Sequence, residues 1–161
     1  MAVWQFHIAF LPQSWISSGG EVAALFGDEG FDPALAWRKY DNAQLEEVLS
    51  RVLGKGKSWH SDLTLWGNAE ADDIQLWRSE GTVESIQVRF DLRSPNMPLF
   101  REVVNIAREL GLAILVLGTR RLLPLDVQPL LRAAGESEAA HFSVDPESFL
   151  WQVDVANARA T

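Results

Sequence analysis

Cysteine is absent from all 161 residues. That excludes disulfides, thiolate nucleophiles and thiolate metal sites, and it favours a reducing compartment. Long apolar runs are absent too. The longest, LAILVLG at 112–118, has the length of a buried strand and falls far short of a membrane span. The opening MAVWQFHIAF has no basic start and no small-residue cleavage pattern, so the expectation is a soluble, cytoplasmic protein. Positive charge is scarce. Fourteen Lys and Arg face 22 Asp and Glu, for a net charge of −8. A nucleic-acid binder needs clustered Lys and Arg, so that class is set aside, whereas a basic protein partner suits the charge. No Gly-x-Ser-x-Gly elbow and no His-Glu-x-x-His metal motif occurs. Gly19-Gly20 lacks the Lys-Ser/Thr sequel of a phosphate-cradling loop. No cofactor and no metal are expected.

What is present reads as one domain. The chain is 47% hydrophobic and 22% charged, and it is long enough to bury about two-thirds of its unfolded surface without a staple. The firmest pattern is at 82–93. Ile86, Val88, Phe90 and Leu92 alternate with Ser85, Gln87, Arg89, Asp91 and Arg93. This period of two predicts a strand with one face on a core and the other toward water or a partner. Trp4, Phe6, Ile8 and Phe10 predict a first strand over 3–11, ended by Pro12. Residues 13–41 hold Gly, Ser and Asp-Pro breakers and predict irregular structure with short turns.

A helix is expected from an Asn42 cap through Val52, closed by Gly54. Strands are expected over 58–67 and 73–78. Glu80-Gly81 joins the latter to the 82–93 strand as a hairpin. Asn96-Met97-Pro98 opens the clearest helix, which Gly111 ends. Residues 112–118 form a fifth strand, apolar on both sides. Helices are then expected from Asp126 to Ala134, from Ser137 to Phe142, and beyond Asp145-Pro146. The fold class is therefore α+β: one domain over 1–161, a mainly antiparallel sheet of about five strands with helices on one face.

Tryptophan is over-represented, at seven. Most should be core, but the expected phases put Trp66 and Trp77 on the polar sheet face. With Gln75, Gln87, Arg89 and Asp91 they would form a platform of aromatic and hydrogen-bonding groups, the composition of an interaction surface. Its plainer alternative is burial under residues 13–41. Arg89, Asp91 and Arg93 should line up as an ion-pair row. His60 and Asp62, two apart on one strand face, have the chemistry of an acid–base pair; a surface hydrogen bond is the simpler account, since no third group is visible. Residues 61–100 hold seven acids (Asp62, Glu70, Asp72, Asp73, Glu80, Glu84, Asp91) against three bases, a net −4. Half of the excess charge thus lies in the strand meander, where a basic partner would dock.

Phe10-Leu11-Pro12, Leu35-Ala36-Trp37, Ser58-Trp59, Trp66-Gly67, Val88–Arg93 and the stretch from Ser137 to Leu150 with Asp145-Pro146 together resemble small bacterial proteins akin to immunity proteins, which are encoded beside secreted antibacterial toxins. The resemblance implies a non-enzymatic protein that binds a toxin or effector and blocks it. It brings no catalytic residues. The expected partner-binding residues are Asp62, Trp66, Glu70, Asp72, Asp73, Gln75, Trp77, Gln87, Arg89 and Asp91. The alternative is a small-ligand or carbohydrate-binding domain that stacks its ligand on Trp66 and Trp77.

Overall fold

A computed structural model describes residues 2–144 and residue 159. Strand β1 (Gln5–Pro12) lies inside a six-stranded antiparallel sheet with β4 (Leu63–Gly67), β5 (Asp73–Ser79), β6 (Thr82–Asp91), β7 (Leu112–Val116) and β8 (Arg121–Leu123). The spatial order is β4-β5-β6-β1-β7-β8. A separate hairpin pairs β2 (Phe26–Gly27) with β3 (Gly30–Phe31). The helices are α1 (Gln13–Ser17), α2 (Ala34–Trp37), α3 (Leu45–Leu49), α4 (Met97–Leu110), α5 (Val127–Gly135) and α6 (Glu138–Val144). This is the α+β architecture read from the sequence, with one more strand in the sheet.

Alternation builds two faces. On one, Trp66, Ile74, Val88, Ile8 and Val116 follow one another across the sheet in register, and Leu76, Ile86, Phe10 and Ile114 form the next rank. All of these are buried. Helix α4 covers that face through Phe100, which stacks on Phe90 with ring centroids 4.2 Å apart. Asn96 caps α4 by accepting from the Leu99 N–H, and Gly111 closes it at φ +66°. That left-handed conformation favours glycine. The anchors of the long 13–50 segment run to this same side. The Tyr40 hydroxyl donates to the Leu110 carbonyl at 2.7 Å, and the Trp66 indole donates to Ser50 Oγ at 3.0 Å.

Several expectations are corrected. The 58–67 strand begins only at Leu63, because 58–62 are tied into a loop by their own side chains. The helix expected from Asn42 to Val52 is the five-residue α3, preceded by Gln44. Gly54 does not close that helix; its carbonyl accepts from the Gly67 N–H at 2.7 Å and ties the segment to the edge of β4. Asp126 precedes α5 without a side-chain cap bond. The helix expected beyond Asp145-Pro146 lies outside the described residues. Among the described residues no helix is long and apolar enough to cross a membrane.

Candidate functional site: the polar half of the second sheet face

The second face is divided. On β7 and the Pro12 end of β1 it is apolar, with Ala9, Leu11, Ala113 and Leu115 all buried. On β5 and β6 it is polar. Asp73 pairs with Arg89, and Arg89 with His7, in one rank; Gln75 pairs with Gln87, and Gln87 with Ala9, in the next. Trp77 stands opposite Ser85 at the far end. Asp73, Gln75, Trp77, Gln87, Arg89 and Asp91 are thus brought onto one face, as alternation predicts.

Asp73 is the anchor. Its side chain is 0% exposed, and Arg89 grips it with both Nε, at 2.7 Å from Oδ1, and Nη2. Gln75 donates a further bond to Oδ2 at 3.1 Å. A buried carboxylate held by a guanidinium fork and an amide is satisfied on both oxygens. The expected Arg89–Asp91–Arg93 row is therefore split. Arg89 turns across the sheet to Asp73, while Asp91 takes Arg93 at 2.8 Å. The Arg93 hydrogen bonds hold the Asp91 carboxyl below its ordinary value against the opposing effect of burial. Arg93 also lies 4.0 Å over the Trp4 ring and donates to the Glu70 carbonyl. Asp72, in the β4–β5 turn, accepts the Asp91 N–H at 2.7 Å, and burial raises its pKa despite that bond.

Trp66 is not on this face. It pairs with Ile74, is 0% exposed and packs in the core, so the platform drawn with it loses one of its tryptophans. The reason is that β4 is buried on both faces (Leu63 and Leu65 on one, Trp66 on the other), so its apolar residues carry no phase. Asp62 and Glu70 sit outside the strands, at opposite ends of β4. The simpler account of His60 and Asp62 fits the geometry: His60 Nδ1 accepts the Asp62 N–H at 3.0 Å, both side chains are about half exposed, and the residues lie in a loop rather than on a strand face. Among the described residues no group of three His, Asp or Glu is placed to hold a metal.

His7 was not singled out from the sequence. It sits beside Arg89, with both ring nitrogens buried and without a hydrogen-bond partner among the described residues. Burial first, and the Arg89 charge second, lower its pKa from 6.5 to about 4. Only the strand pairing puts it beside the ion pair; its shared phase with Gln5 and Ala9 was the available signal. A cavity of about 220 Å³ opens elsewhere, between α4, α5 and α6. Its lining is apolar apart from Ser143, whose hydroxyl is spent on the Ala139 carbonyl, so it brings no reactive group.

Set against protein-family models, curated proteins and solved structures, the chain matches none.

Proposed function

We propose that the chain is a non-enzymatic bacterial protein-interaction domain, immunity-like in action, that binds and blocks a toxin or effector domain. The observation that carries this reading is the polar half-face, where the buried Asp73–Arg89 pair holds the half-buried Gln75, with half-buried Gln87 opposite it in register. Side chains held before binding lose little freedom on binding, which favours tight association. Gln87 is half-buried, and its amide has no hydrogen-bond partner among the described residues, so it offers an unspent donor and acceptor at the centre of the face. The acids Asp62, Glu70 and Asp72 stand toward the two ends of β4 and β5 and suit a basic partner.

Immobilised and exposed to extract of its native host, the protein is expected to retain one protein partner. Gln87→Arg, which puts bulk and charge into the face, should weaken that capture at least about ten-fold without lowering Tm. Recovery of a co-purifying small metabolite and no protein would overturn the reading. The carbohydrate alternative loses its stacking pair, because Trp66 faces the core, and it would have to rest on Trp77 with another aromatic.

A further inference from the structure

We draw no further inference here: the strongest candidate, the apolar cavity of about 220 Å³ that Leu92, Met97, Phe100, Leu131 and Ala134 line between α4, α5 and α6, carries none, because nothing in the structure shows what covers it.

Discussion

Asp73 is a fully buried charge whose cost depends on what surrounds it. Arg89 and Gln75 satisfy it, so removing Arg89 leaves an uncompensated carboxylate in the interior. Arg89→Ala is expected to lose about 3–5 kcal/mol of unfolding free energy in urea, and adding Asp73→Asn should restore part of that loss. His7 works in the other direction. The unfolded chain takes up a proton near the ordinary 6.5, while the folded chain resists it until about 4. Between those values the unfolded state binds more protons, so stability falls as pH drops, and the loss is complete below the folded value. The shift corresponds to up to about 3 kcal/mol. Urea unfolding near neutrality and near pH ~4 should show a smaller acid loss in His7→Leu, which cannot titrate, than in the native chain. An equal loss in both would place the acid sensitivity elsewhere.

Among the elements, the turns and the helix ends carry the most specific sequence information. Glu80 and Gly81 both adopt positive φ, 51° and 79°, as a two-residue hairpin between right-twisted strands requires. Gly111 and Gly67 make a contrast that can be measured. Both have positive φ, but a side chain at Gly111 meets open space, whereas one at Gly67 runs into the Asp72 carbonyl. Gly111→Ala should cost about 1 kcal/mol, a purely conformational charge, and Gly67→Ala distinctly more, because it also displaces the turn that holds Asp72. Thermal unfolding of the two variants compares them directly. The β5, β6 and α4 signals were legible because each has one polar side. β4 was not, because a strand buried on both faces has no alternation to read, and Trp66 was assigned to the wrong side for that reason. The three-residue β8 is too short to show a period, and α3 was read as too long because Val52 continued its spacing beyond Leu49.

At the scale of the molecule, the sequence showed that a polar face exists but not which side chains complete it. Asp73 and Arg89 are 16 residues apart and meet only through the β5–β6 register. His7 joins them only because β1 inserts between β6 and β7. No local pattern encodes that insertion, since the chain reaches β7 through a helix after completing the β4–β6 meander elsewhere. The net −8 is likewise legible as a total, whereas its use depends on which acids are paired. Asp73 and Asp91 are paired with arginines, whereas the exposed Glu80 and Glu84 form no ion pair among the described residues. The molecule thus has a polar sheet face fixed by the buried Asp73–Arg89 pair. The most direct test is the affinity of the captured host partner for the native chain and for Gln87→Arg, measured by calorimetry with equal Tm confirmed. A loss of about ten-fold or more is the expected result. An unchanged Kd would contradict the assignment of this sheet face as the binding surface.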